Sequence, residues 1–255
     1  DFFFAIRFEF IRSIPNFIWH VFILNIKVIN SLLNKKMKVV VFGASGFIGS
    51  NLVRKHSGWI SVTRKEVDLL DQKAVDDYFE ENGDAIDWVI HCSVVGGSRM
   101  LKDDSSVLHA NLLMFENLAR HAKKMIYFSS GAALRGNPPT DPYGFSKWII
   151  DRRIETIPNY YSLRIWGCYG EGEISTRFSS ICKEKGHVII PQDRYFDFID
   201  INDVCKIVKS FVDGEYSDKF YNLVYPDKFL LSQWAEKFGA TYKIIDKQLG
   251  ESYIS

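Results

Sequence analysis

Cysteine pairs are missing from this chain. Its four cysteines, Cys92, Cys168, Cys182 and Cys205, lie far apart and form no CxxC motif. That excludes a disulfide framework and a thiolate zinc site, and it points to a reducing compartment, so a cytoplasmic location is expected. The six histidines lack metal-ligand spacing, so no metal is expected either. An excess of charge of either sign is lacking: the formal net charge is +1, which gives no general attraction to nucleic acid or to an anionic membrane. Internal repeats and low-complexity linkers are absent.

A clean apolar run long enough to span a bilayer is lacking as well. Residues 1–36 are rich in Phe, Ile, Asn and Lys. Between Ile14 and Leu33 the apolar stretch is broken by Pro15, Asn16, His20, Asn25, Lys27 and Asn30. A spanning helix needs about 20 mostly apolar residues. The segment is therefore expected to be an extension without a catalytic role, with weak interfacial membrane contact as the alternative. No small-residue cleavage site follows a compact apolar core, so a secretory signal fits poorly.

What is present begins at Met37. The chain has 255 residues and is 47% hydrophobic, enough for one well-cored domain with a small second lobe. MKVVVF (37–42), WISVT (59–63), IDWVIHC (86–92), MIYFSS (125–130) and YYSLRIW (160–166) read as short buried strands. Helical stretches separate them, among them 71–82 and 105–124. That alternation predicts an α/β fold, a doubly wound parallel sheet. Beyond Gly170 the elements shorten and mix, so a dinucleotide-type domain over 37–170 and a reduced substrate-binding lobe over 171–255, interleaved with the first, are expected.

Gly43, Gly46 and Gly49 form GxxGxxG between a strand and a helix. The first glycine suits a tight turn, and the others let backbone approach a pyrophosphate and let the helix pack on the sheet. The helix N-terminus offers unpaired N–H groups to the phosphates. After the second strand come Thr63, Arg64 and Lys65, with no acid before Glu66. A basic residue there can accept a ribose 2′-phosphate, so NADP(H) is preferred and NAD(H) is the alternative.

In DPYGFSKW (141–148), Tyr143 and Lys147 stand four apart on one helix face, with Asp141 as the cap and Pro142 in the first turn. Alone the pair is ambiguous between proton transfer and a shared surface.

Together these motifs resemble the short-chain dehydrogenase/reductase superfamily, most closely its extended branch of nucleotide-sugar epimerases, dehydratases and reductases. The Rossmann-like resemblance covers residues 37 to about 240. It rests on VFGASGFIGS, VDLLD (67–71), DWVIHCSVVGG (87–97), Asn111, LRIWGCYGEG (163–172), DFIDINDV (197–204) and FYNLV (220–224). It implies cofactor contacts at Gly43, Ser45, Gly46, Phe47, Ile48, Gly49, Asp68, Leu69, His91, Cys92 and Ser93, with Arg64 added from its charge. It also implies Tyr143 as acid/base and Lys147 as its partner, which also holds the nicotinamide ribose. The serine of this set is open: one alignment selects Ser130, with Ser129 as the fallback, and a shift of one selects Gly131.

Dehydration is not expected, because GAALRG offers no carboxylate pair. SVVGGSRM (93–100) resembles the loop of GDP-fucose synthases, yet Ala132 and Ala133 stand where the epimerising cysteine would be. His187 falls near the second epimerising position, or is an ordinary surface histidine. The expected activity is NADPH-dependent reduction of a 4-keto nucleotide sugar. The alternatives are a C4 epimerase with bound NAD and a non-catalytic NAD(P)-binding regulator or scaffold. Arg177 and Arg194 are candidates to meet the substrate diphosphate, and a homodimer is expected.

Overall fold

Val39–Phe42 forms β1, four residues buried on both faces. Val39 and Val41 pack into one core cluster, Val40 and Phe42 into another. The alternation of strand side chains requires this of a strand covered by helices on both sides. The computed structural model describes residues 37–98 and 101–255; the membrane-contact expectation for 1–36 lies outside the described residues. Among the described residues no helix is long and apolar enough to cross a membrane.

The remaining strands are β2 (Ile60–Val62), β3 (Trp88–His91), β4 (Met125–Ser130), β5 (Tyr160–Ile165), β6 (Cys168–Tyr169), β7 (His187–Gln192), β8 (Ile199–Asp200), β9 (Phe220–Leu223) and β10 (Thr241–Asp246). The helices are α1 (Phe47–Lys55), α2 (Gln72–Asn82), α3 (Ser105–Ala119), α4 (Pro142–Glu155), α5 (Phe178–Lys185), α6 (Ile201–Asp213) and α7 (Leu231–Lys237). The main sheet runs β2-β1-β3-β4-β5-β9, with every pairing parallel. Leu52 of α1 and Val204, Val208 and Phe211 of α6 cover one face. Val75 and Phe79 of α2, Phe115 and Leu118 of α3, and Ile150 and Ile154 of α4 cover the other. This is the Rossmann-like α/β arrangement that the alternating pattern predicts.

Strand order reverses at β1, which has β2 on one side and β3 on the other. The carboxyl ends of β1 and β3 therefore bound the crevice where ligands bind in such sheets. Helix starts follow the expected caps. Asp71, Asp104 and Asp141 accept hydrogen bonds from the backbone N–H groups of Ala74, Ser106 and Gly144. Pro142 occupies the first turn of α4, where its missing N–H costs nothing.

Past Gly170 the chain divides its loyalties. β9 joins the main sheet and α6 packs on its face, whereas β7 and β10 pair in parallel as a separate ribbon. That ribbon buries Val188 and Ile190 against Cys182 of α5 and Ala235 of α7. An aromatic cluster of Phe196, Phe198 and Trp234 lies beside it.

Candidate active site

The glycine loop is built for close approach. Gly43 has φ +79°, and its N–H donates to the Val62 carbonyl at 3.0 Å. A Cβ on Gly43 would stand 2.6 Å from the Ser93 nitrogen, so the turns after β1 and β3 touch there. A Cβ on Gly49 would stand 2.4 Å from the Gly43 carbonyl oxygen, so α1 presses directly on the loop. No side chain caps α1, which leaves its first N–H groups to a ligand. His91 at the end of β3 has a buried Nδ1 without a hydrogen-bond partner among the described residues. A cradle closed to side chains, an uncapped helix start and an orphaned buried nitrogen fit a dinucleotide.

At the end of β2, the Glu66 carboxylate accepts from the Thr63 N–H at 2.7 Å and from its hydroxyl at 3.0 Å. Arg64 pairs with Asp68 at 3.1 Å, and Asp68 also accepts from the Leu70 N–H at 3.1 Å. The basic residue assigned to a 2′-phosphate thus lies beside the acid assigned to the adenosine.

Tyr143 sits in the first turn of α4, half-buried, with the Ser130 hydroxyl as a neighbour. Burial pushes its phenol up to about 12, against the opposing pull of the neighbouring Ser130 hydroxyl and the Arg177 charge. One turn on, Lys147 is 2% exposed. Its Nζ donates to the Tyr127 hydroxyl and to the Phe128 carbonyl, both at 2.8 Å. The same nitrogen lies 5.6 Å from the centre of the Tyr143 ring. Burial lowers the Lys147 ammonium to about 7, with Asp151 opposing that shift.

The three positions open to the serine differ in their surroundings. Ser130 ends β4, and its Oγ accepts from the Ala132 N–H at 3.1 Å and lies 3.4 Å from the Tyr253 hydroxyl. Ser129 alternates onto the Tyr127 side of the strand, where its Oγ is buried without a partner among the described residues. Gly131 is closed to any side chain, since its Cβ would stand 2.4 Å from the Trp166 ring.

A loop over the tyrosine completes the site. Asn111 of α3 accepts from the Val95 N–H at 2.9 Å and donates to the Val95 carbonyl at 3.0 Å. It also donates to Ser146 Oγ at 3.1 Å, and Ser146 in turn donates to the Tyr143 carbonyl at 2.7 Å. Gly97, at φ +73°, lies so close to the phenol ring that a Cβ would be 2.7 Å from Tyr143 Cζ. One buried asparagine therefore ties the loop after β3 to the helix that carries Tyr143.

Residues 39–223 match the model of the NAD dependent epimerase/dehydratase family. The chain belongs to that family. A UDP-glucose 4-epimerase of Bacillus subtilis is 31% identical over 157 residues, 52% of this chain and 45% of that protein. The match thus spans about half the length of that relative. A dTDP-4-dehydrorhamnose reductase from Clostridium acetobutylicum superposes with a TM-score of 0.70 at 17% identity, covering 82% of this chain and 83% of that one. RMD from Pseudomonas aeruginosa, complexed with NADPH, superposes with a TM-score of 0.70 at 20% identity, covering 86% and 88%. At these identities the structural likeness speaks for the fold.

Within this family member the other candidates part company. Arg177 donates to the Cys168 carbonyl at 3.1 Å and places its guanidinium 5.3 Å from the Phe47 ring, at the glycine loop. Arg194 lies against the C-terminal segment, where a Cβ on Gly250 would meet its Nε at 3.3 Å. His187 is exposed on β7, its Nδ1 2.8 Å from the Thr241 hydroxyl. Burial pushes the thiols of Cys92 and Cys168 well up and those of Cys182 and Cys205 up to about 11, which suits inert core groups. Sequence reasoning missed Tyr127, Trp166 and Tyr253, because their approach depends on register and on a distant tail.

Proposed function

We propose that the chain is an NADPH-dependent reductase of a 4-keto nucleotide sugar. One observation carries this reading: Tyr143 has the Ser130 hydroxyl as a neighbour and Lys147 behind it one helical turn on, with Nζ 5.6 Å from the centre of its ring. Gly43, Gly46 and Gly49 would hold the pyrophosphate, Asp68 and Leu69 the adenosine end, Arg64 the 2′-phosphate, and Lys147 the nicotinamide ribose. When bound, the reduced nicotinamide supplies a hydride to the sugar carbon.

The residues handle the proton. Tyr143 gives its phenolic proton to the keto oxygen, so that ketone, hydride and proton together make the alcohol. Ser130 holds that oxygen with a hydrogen bond. Lys147 stabilises the phenolate left behind until solvent returns the proton. A phenol held up at about 12 is protonated at neutral pH, the form that a reduction needs at its start.

A second reading, C4 epimerisation with tightly held NAD, is supported by the similarity to UDP-glucose 4-epimerase and by the Asp68 carboxylate on Arg64. That pairing offers the ribose an acid as well as a base. The two readings separate when the full chain is incubated with NADPH or NAD and a panel of 4-keto and ordinary nucleotide sugars. NADPH oxidation with a 4-keto sugar supports reduction, and isomer exchange without net cofactor turnover supports epimerisation. Cofactor binding with no turnover on any sugar would sink both.

A further inference from the structure

The Ser130 hydroxyl has a second phenol beside it, brought from far along the chain. Residues 250–255 run beside 193–197. The Gly250 N–H donates to the Asp193 carbonyl at 2.7 Å, and the Tyr253 N–H donates to the Tyr195 carbonyl at 2.9 Å. The Asp197 N–H donates to the Tyr253 carbonyl at 3.0 Å, and the Ser255 N–H to the Asp197 carboxylate at 2.7 Å. Lys228 fastens the same carboxylate at 2.8 Å. This short pairing holds the Tyr253 ring 5.2 Å from Phe196 and 6.4 Å from Trp166, with the Arg135 guanidinium 4.5 Å from its centre. Phenylalanine would satisfy all of those ring contacts. The hydroxyl is what they leave unexplained, and it points at Ser130.

A serine hydroxyl has one proton to give and two lone pairs to fill. At Ser130 one lone pair is taken by the Ala132 N–H. If Tyr253 O–H fills the other, the serine proton can be directed only at Tyr143 and the substrate oxygen beside it. If that lone pair is empty, the hydroxyl is free to rotate and its proton is shared among orientations. The 3.4 Å separation is longer than a relaxed O–H···O bond of about 2.7–2.8 Å, as is common for catalytic-site hydrogen bonds that tighten only when substrate is bound.

We propose that Tyr253 is a positioning residue, whose hydroxyl holds the Ser130 hydroxyl in the orientation that serves Tyr143. The proposal deepens the Tyr143-centred reductase reading and rests on it. It makes the C-terminal segment part of the active site. The role left vacant by the closed position at Gly131 is met by a serine one residue earlier with a tyrosine to steady it.

The test uses the full chain with Tyr253→Phe, Ser130→Ala and the double variant. Losing one orienting hydrogen bond should lower kcat about tenfold in Tyr253→Phe, with KM, cofactor affinity and melting temperature close to wild type. Adding Tyr253→Phe to Ser130→Ala should then cost little more, because the phenol acts through the serine. Wild-type kcat in Tyr253→Phe, or a loss that adds fully to that of Ser130→Ala, would overturn the proposal. A readout independent of turnover separates it from the reductase reading. The 13Cζ resonance of Tyr143, assigned by its loss in Tyr143→Phe, should move the same way in Tyr253→Phe as in Ser130→Ala. If that shift occurs while wild type reduces no sugar, the reductase reading fails and the positioning role stands. If Tyr253→Phe leaves the resonance in place, the positioning role fails whatever the activity.

Discussion

A Cβ on Gly131 would lie 2.4 Å from Cε2 and Nε1 of Trp166. The indole occupies the space that a side chain at 131 needs, so a serine cannot be supplied there without displacing it. Gly131→Ser should cost roughly 1–3 kcal/mol of stability through overpacking, read as a lower melting temperature. Trimming the ring with Trp166→Leu should recover part of that loss. An unperturbed melt for Gly131→Ser would show that the indole moves freely.

Tyr143→Phe keeps the ring under Gly97 and removes only the proton. Turnover should fall by about 10²–10⁴-fold, while the dissociation constant for the nucleotide, measured by titration, stays within about twofold. Undiminished turnover would remove Tyr143 from the chemistry.

Arg64 and Glu66 make opposite predictions at one place. Arg64→Ala should weaken NADPH about tenfold and leave NADH nearly unchanged, since only NADPH carries the 2′-phosphate. Glu66→Gln should tighten NADPH, because the carboxylate that now accepts from Thr63 would repel a phosphate there. Equal effects on both nucleotides would move the 2′-phosphate elsewhere.

Lys147 makes stability depend on pH. Its native value of about 7 lies below the usual 10.5, so between those values the unfolded chain binds a proton that the native chain does not. Stability contributed at this site therefore rises with pH from about 7 to 10.5, and the burial penalty on the ammonium is felt in full below 7. Lys147→Met should be closer to wild type in urea midpoint at pH 9.5 than at pH 6.5, where the variant gains. A pH-independent difference between the two proteins would place Lys147 in solvent.

The local features were legible because their causes are local. Val39–Phe42 is a run of apolar residues, Asp141 and Pro142 start α4, and GxxGxxG follows β1, each within a few residues of what it determines. Tyr143 and Lys147 share a face because a helix turn brings residues four apart together. Asn111 was legible as a motif position, but not its work. Its clasp on Val95 and Ser146 spans 16 and 35 residues and depends on how α3 packs on α4.

By itself, the sequence determined the parallel α/β sheet, the cradle at Gly43, Gly46 and Gly49, and the Tyr143–Lys147 pair, because short-range spacing and hydrophobic period dictate each. Only the tertiary structure shows what surrounds Ser129, Ser130 and Gly131. Strand alternation puts Ser129 on the Tyr127 face, Trp166 closes position 131, and Tyr253 reaches Ser130 across 123 residues of chain. Those are contacts between segments distant in the chain, and no local pattern encodes them.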